Sequence, residues 1–190
     1  MSPILGIWAS AQTAGKLNSY ESIATVTLGS AASSVSFTSI SSAYTHLQVR
    51  VSGNATGTAS GFPDLIVSFN SDTNYLNYSQ HTLGGDGSSA YASASIGAPT
   101  FTGGYVGDFR DSTTAVSPTA KVIDFLDYAN TNKNKTVRTL SGWDANGSGQ
   151  LRFVSACWMS TAAITSMSFS IRSGTNNINT GSSFALYGIK

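Results

Sequence analysis

Alternation of apolar and polar residues over short stretches is the main structural signal in this chain. Between residues 44 and 52, Leu47, Val49 and Val51 alternate with His46, Gln48 and Arg50. A period of two is typical of a β-strand with one buried face. Similar runs recur at intervals of about 8–12 residues, separated by Ser, Gly and Asn, and no segment has a convincing helical period. The pattern predicts about ten strands. They lie at 20–28, 34–40, 44–52, 65–69, 74–83, 91–97, three within 122–160, 167–171 and 184–190.

The stretch from Val122 to Ser160 is predicted to be the middle of the fold. It contains three apolar runs joined by two polar turns, at 130–135 and 144–149, and the second turn contains the Asn-Gly pair favoured in hairpins. Its last strand is apolar on both faces. One face would carry Leu151, Phe153, Cys157 and Met159, and the other Val154, Ala156 and Trp158. Such a strand is expected to be covered on both faces, by a second sheet or by a neighbouring chain.

These elements predict an all-β protein, an antiparallel β-sandwich. A jelly roll is favoured over an immunoglobulin-like sandwich. The sandwich is expected to form one domain over residues 20–190, preceded by an extended arm at residues 1–19. The arm carries the apolar residues Ile4, Leu5, Ile7 and Trp8. Because a polar connector separates them from the first strand, docking on another chain is favoured over closure onto the same domain.

Composition narrows the classes of function. Only 10% of residues are charged and the formal net charge is +1, whereas 41% are hydrophobic. The hydrophobic content favours a packed fold, and the scattered basic residues argue against nucleic-acid binding. A single cysteine, Cys157, excludes an intramolecular disulfide framework. The apolar N-terminal run is too short to span a membrane and lacks the basic start of a signal peptide, so we expect synthesis in a cytoplasm without secretion or membrane insertion.

The search for catalytic chemistry is negative. His46 and His81 lie on different predicted strands, and no Gly-x-Ser-x-Gly motif presents a nucleophile. Asp124 and Asp127 are an odd number of residues apart, which places them on opposite faces of a strand and weakens them as a glycosidase pair. No catalytic residue, cofactor or metal site is therefore predicted. A weak calcium candidate is the Asp144, Asn146 and Ser148 loop, although a hydrogen-bonded hairpin turn is favoured there.

Three aromatic residues are candidates for stacking on a sugar. They are Trp143, Tyr75 and Tyr78, which flank predicted turns or lie in a partly exposed strand. For each of them, packing in the core or in an interface is the favoured alternative.

Several segments resemble one family of proteins. The segments are MSPILGIWAS, YTHLQVRV, FNSDTNYLNYSQHTLGGDGSS, DYANTNKNKTVRTLSGWDANGSG, WMSTAAITSMSF and SSFALYGIK. In that order they resemble small proteins encoded by tailed bacteriophages. The resemblance covers nearly the whole chain and implies a structural component of the virion, either associated with the tail or fibre or decorating the capsid. It implies no catalytic residues and leaves the position on the particle open.

The leading hypothesis is a non-enzymatic virion surface protein that is attached to other virion proteins through residues 1–19. The alternative is a carbohydrate-binding adhesin for host-surface glycans, and a polysaccharide-cleaving enzyme is a distant third. The excess of apolar strand positions also predicts a homo-oligomer, because symmetric association would bury them. A trimer is favoured by analogy with fibres and capsid ornaments.

Overall fold

The computed structural model describes residues 19–57, 62–96, 102–111, 117–172 and 176–190. Strands dominate this part of the chain, together with one short 3₁₀ helix. The strands are β1 (Tyr20–Thr27), β2 (Ser34–Phe37), β3 (His46–Gly53), β4 (Asp64–Phe69), β5 (Tyr78–Gly85), β6 (Ala90–Ile96), β7 (Gly104–Asp108), β8 (Thr119–Leu126), β9 (Lys135–Asp144), β10 (Gly149–Trp158), β11 (Met167–Ile171) and β12 (Ser183–Ile189). The predicted docking residues Ile4, Leu5, Ile7 and Trp8 lie outside the described residues.

The strands form two antiparallel sheets that pack as a sandwich. The large sheet has eight strands in the order β1-β12-β3-β8-β9-β10-β5-β6, and the small sheet has four in the order β2-β11-β4-β7. Without β5, β6, β9 and β10, the remaining eight strands form two four-stranded sheets, β1-β12-β3-β8 and β2-β11-β4-β7, in the jelly-roll order. The predicted jelly-roll sandwich is therefore confirmed.

Two hairpins are inserted into this jelly roll. The β5–β6 hairpin comes between β4 and β7, and the β9–β10 hairpin comes between β8 and β11. The hairpins pair with each other through β10 and β5, and they extend the large sheet beyond β8. We call these four strands the sheet extension.

The core lies between the two sheets and is rich in aromatic side chains. Phe69 contacts Tyr78, Phe125 and Trp158, with ring centroids 6.3, 5.7 and 5.3 Å away. Phe169 and Phe184 form a second contact across the sandwich at 5.4 Å. Burial of each such side chain stabilises the fold by roughly 1.5–3 kcal/mol, so the aromatic core is the main cohesive element between the sheets.

Strand β7 is the element that the sequence pattern did not predict. The alternation of apolar and polar residues is absent from Gly104–Asp108 because every position is buried. The strand lies at the edge of the small sheet and packs against β9, β10 and β5 of the sheet extension. At Gly107 φ is +89°, and a Cβ there would lie 2.5 Å from Ser141 Oγ, so only glycine fits. The predicted strand at 74–83 also begins later than expected, because residues Tyr75–Asn77 form the 3₁₀ helix.

Candidate functional site

The outer face of the large sheet, which points away from the small sheet, carries a continuous row of apolar side chains. The register places Val122 opposite Leu140, Leu140 opposite Phe153, Phe153 opposite Leu83, and Leu83 opposite Ala92. Leu140, Phe153 and Leu83 are 52%, 48% and 60% exposed. The row therefore runs across five neighbouring strands without cover from the described part of the chain.

The adjoining row consists mostly of small residues. It places Ala120, Gly142, Leu151, Gly85 and Ala90 side by side, and only Leu151 projects. We call the exposed set Val122, Leu140, Phe153, Leu83 and Leu151 the outer apolar patch. Beside Phe153 and Leu83, the small side chains of Ala92 and Ala94 leave a hollow of about 460 Å³.

On its other side the outer apolar patch is bordered by polar residues. Asp124 lies opposite Arg138, and Arg138 lies opposite Ser155. Gln48 donates a hydrogen bond to Asp124 Oδ1 at 2.8 Å. The apolar row therefore ends at a polar row on this side.

The two-sided pattern predicted for the central stretch is confirmed in the folded chain. Val154, Ala156 and Trp158 are buried in the sandwich, whereas Leu151 and Phe153 face outward. The expected cover on the outer face is not supplied by the second sheet, which lies entirely on the inner side. Among the described residues, the outer face of this strand therefore has no cover.

A second feature is a groove at one end of the sheet extension. It lies between the β5–β6 turn and the β9–β10 turn and has a volume of about 680 Å³. Trp143, near the end of β9, lines this groove and also a neighbouring hollow of about 580 Å³ that is lined by Phe62 and Arg110. We call these two spaces together the turn-end groove.

Trp143 is held by two neighbours. The Phe62 ring is stacked against it with centroids 5.5 Å apart and an interplanar angle of 29°. The Arg110 guanidinium carbon lies 4.4 Å from the indole centroid and 6.0 Å from the Phe62 centroid. Phe62 and Arg110 therefore pack against the indole and against each other.

The turns that border the groove are shaped by their own polar side chains. Asp86 Oδ1 accepts hydrogen bonds from the backbone N–H groups of Ser88 and Ser89 at 2.9 and 2.7 Å. These bonds lower the pKa of Asp86, which keeps it ionised. In the other turn, Asp144 Oδ1 accepts from the N–H of Asn146 at 2.7 Å.

The calcium candidate forms the hairpin turn that the sequence favoured. The N–H of Ala145 donates to the carbonyl of Ser148 at 2.7 Å, and Asn146 and Gly147 both have positive φ, 56° and 103°. This is the geometry of a two-residue hairpin turn with Asn-Gly at its centre. Within the described ranges, no three His, Cys, Asp or Glu side chains are grouped as metal ligands would be.

The other two aromatic candidates lie away from the groove. Tyr78 starts β5 at the end opposite the β5–β6 turn and is 2% exposed. Its hydroxyl donates to the Asp72 carbonyl at 2.8 Å and accepts from the Phe69 N–H at 3.2 Å. Burial raises the pKa of Tyr78. The ring is a core element and offers no face to a ligand, while Tyr75 begins the 3₁₀ helix and is partly buried.

A buried ionic network joins β7 to the large sheet. Asp108 Oδ2 lies 2.6 Å from Arg152 Nη2, and the Tyr105 hydroxyl donates to Asp108 Oδ1 at 2.5 Å. Lys121 Nζ donates to the Asp108 carbonyl at 2.5 Å. Burial and a hydrogen bond with Asp64 raise the pKa of Asp108 to about 7, although Arg152 opposes this. Burial lowers the pKa of Lys121 to about 7. The network ties the small sheet to the sheet extension.

No family model and no curated protein sequence matches this chain. Among the described residues, no helix is long and apolar enough to cross a membrane.

Proposed function

We propose that this chain is a non-enzymatic structural protein of a tailed-bacteriophage virion that assembles with further copies of itself through the outer apolar patch. Its N-terminal arm, residues 1–19, attaches it to other virion proteins. The single observation that supports assembly is the uncovered row of Val122, Leu140, Phe153 and Leu83 across five strands. The sequence resemblance to phage proteins supports the location, and jelly rolls are common in viral capsid proteins.

Burial of the outer apolar patch in an interface is energetically favourable. Full burial of a Leu or Phe side chain contributes roughly 1.5–3 kcal/mol, so a side chain that is already half buried gains about 1 kcal/mol from an interface. Four such side chains on each partner make a sizeable contribution, and the low charge of the chain leaves little else to keep the patch soluble.

A second copy of the same chain fits the patch by shape. The projecting side chains of Phe153 and Leu83 lie directly beside the hollow formed at Ala92 and Ala94. The projecting side chains and the hollow lie on the same surface, so in a symmetric pair the side chains of each copy could enter the hollow of the other. Three copies remain the expected number by analogy with fibres and capsid ornaments.

Light scattering coupled to size-exclusion chromatography tests the assembly. The full chain should have a mass of two or, as expected, three times 19.7 kDa. The double variant Leu140→Asp/Phe153→Asp should be monomeric with its fold intact, because it places carboxylates in the centre of the interface. The matched control is Thr25→Asp, which lies on the outer face of the same sheet but in the edge strand β1, and it should remain assembled. A monomeric wild-type chain would refute self-assembly.

Mass spectrometry of purified phage particles tests the location. The protein should be present in particles and absent after deletion of its gene, and labelling in electron micrographs would place it on the capsid, the tail or a fibre. Its absence from purified particles would contradict the virion assignment.

A further inference from the structure

The turn-end groove has the size and lining of a ligand site. Its two parts, of about 680 and 580 Å³, fall within the range of small-molecule sites. Both parts are lined by Trp143, Asp86 and Gln150. The groove adjoins the outer apolar patch, because Leu151 lines its larger part, whereas Trp143 points to the inner side of β9.

The indole of Trp143 provides a rigid flat platform. Phe62 and Arg110 pack against it and fix its orientation. Trp143 also lines both hollows, so part of its ring is accessible. Aromatic rings that are fixed in this way give a large contact area at little entropic cost. Gly87 and Gly147 of the adjoining turns also line the groove, and a Cβ at either position would meet no atom within 4 Å.

Polar side chains line the same groove as the indole. Asp86 Oδ1 is occupied by its own turn, and Oδ2 has no hydrogen-bond partner among the described residues. Gln150 Oε1 accepts from Arg152 Nε and Nη2 at 3.2 and 3.1 Å, which orients the amide so that its NH₂ group remains available for a ligand. Ser148 adds an exposed hydroxyl group at the edge of the groove.

This combination selects one chemical class of ligand. An aromatic face surrounded by a carboxylate, an amide and a hydroxyl matches a pyranose, which has an apolar C–H face and a rim of hydroxyl groups. The carboxylates of Asp86 and Asp144 border the groove, while the guanidinium of Arg110 is stacked on Trp143. Two carboxylates and one guanidinium give this lining a net charge of −1, which disfavours uronic acids, sialic acids and nucleotide phosphates relative to neutral sugars.

We propose that the turn-end groove binds an uncharged pyranose residue of a glycan, with the sugar ring stacked on Trp143 and its hydroxyl groups bonded to Asp86 and Gln150. A module that projects from a particle could use such a site to hold a surface polysaccharide. The proposal does not depend on self-assembly, and each can fail alone.

Saturation-transfer-difference NMR on the full chain tests the proposal, with chitotetraose, maltotetraose, cellotetraose and mannotetraose as neutral probes and tetragalacturonate as the acidic probe. At least one neutral probe should give saturation transfer to the C–H protons of its ring at millimolar concentration, and tetragalacturonate should give none. Trp143→Ala should weaken binding by roughly tenfold or more, the loss expected for one aromatic contact. Absence of transfer to every neutral probe, or equal transfer to the acidic probe, would overturn the proposal.

Two further variants separate binding from folding. Ser148→Trp should fill the groove and abolish binding without touching the core, because Ser148 is exposed in the hairpin turn. It decides the question if Trp143→Ala proves unstable. Tyr75→Ala, the matched control, removes an aromatic ring far from the groove and should leave binding unchanged. Binding that survives Ser148→Trp would overturn the assignment of the site.

Discussion

Arg152 is expected to stabilise the fold mainly by compensating a carboxylate that the sandwich has buried. Asp108 is 3% exposed, and the Arg152 guanidinium lies 2.6 Å from it at the junction of β7 and β10. Replacement by methionine, Arg152→Met, keeps an unbranched apolar side chain but removes the charge. Breaking a buried pair from one side costs about 3–5 kcal/mol, because the remaining ion has no compensation. At 190 residues this corresponds to a decrease in Tm of roughly 6–20 °C.

The loss should depend on pH in a defined direction. The pKa of Asp108 is raised to about 7 in the folded protein, so at pH 5 the carboxyl is protonated and costs little without its partner. Above pH 7 the variant must either bury an unpaired carboxylate or retain a proton that the unfolded chain has released. From pH 7 to pH 8.5 this lowers the free energy of unfolding of the variant by about 1.36 kcal/mol per pH unit. The difference in free energy of unfolding between wild type and variant should therefore be about 2 kcal/mol larger at pH 8.5 than at pH 5.

Urea denaturation at pH 5 and pH 8.5 measures both quantities, with an unchanged m-value as the check on two-state unfolding. The double variant Asp108→Asn/Arg152→Met should recover part of the stability at pH 8.5 because no charge is then left unpaired. Glu21→Gln is the matched control, since it removes an exposed ion pair with Lys190 and should have no measurable effect. A loss below about 1 kcal/mol that is equal at both pH values would refute the reasoning.

Three other predictions concern Lys121, Gly107 and the arm. Burial lowers the pKa of Lys121 to about 7, so between pH 7 and pH 9 the unfolded chain retains a proton that the folded chain has released. The free energy of unfolding should therefore rise from pH 7 to pH 9, and Lys121→Met should make this rise smaller. An equal rise in both proteins would contradict the prediction. Gly107→Ala should lower the free energy of unfolding, measured by urea denaturation, by roughly 2–5 kcal/mol, because Gly107 has a positive φ and its Cβ would also clash with Ser141 Oγ. Gly147→Ala, in an open turn, should lower it by only about 1 kcal/mol. Deletion of residues 1–12 should leave the circular dichroism spectrum and Tm unchanged but prevent incorporation into particles; an unfolded product would show that the arm belongs to the core.

Local patterns predicted most strands because a half-buried strand leaves its signature in a few neighbouring residues. The alternation of Leu47, Val49 and Val51 identified β3, and the Asn-Gly pair identified the β9–β10 turn. Strand β7 has no such signature, because all of its residues are buried, between β4 in its own sheet and the sheet extension that covers its face. In addition, two of its five residues are glycines rather than the branched residues that are typical of strands. Pairing of β10 with β5 was equally invisible, since the two strands are separated by more than sixty residues and either could have had another neighbour.

The candidate sites were predictable to different degrees. The outer apolar patch could be anticipated from the two apolar faces of one strand, but its width depends on the register of five strands. Trp143 was one of three aromatic candidates for which packing was the favoured interpretation, and its neighbours Phe62 and Arg110 come from segments remote in sequence. The Asp108–Arg152 pair was missed because a charged residue at an inward position looks the same in sequence as one at an outward position until the register is known.

The position of β6 at the free edge of the large sheet has a consequence for hydrogen exchange. Within the described chain β6 pairs only with β5, and its side chains are mostly exposed on both faces. Such a strand separates from its neighbour at little cost in free energy, so its amide protons should exchange long before those of β3 or β12. Leu83 and Ala92, which belong to the surface proposed for assembly, lie on this hairpin. Association that buries them would favour the state in which β5 and β6 are paired, and this effect would increase with protein concentration. Hydrogen exchange in β5 and β6 should therefore slow as the protein concentration rises, while exchange elsewhere does not change.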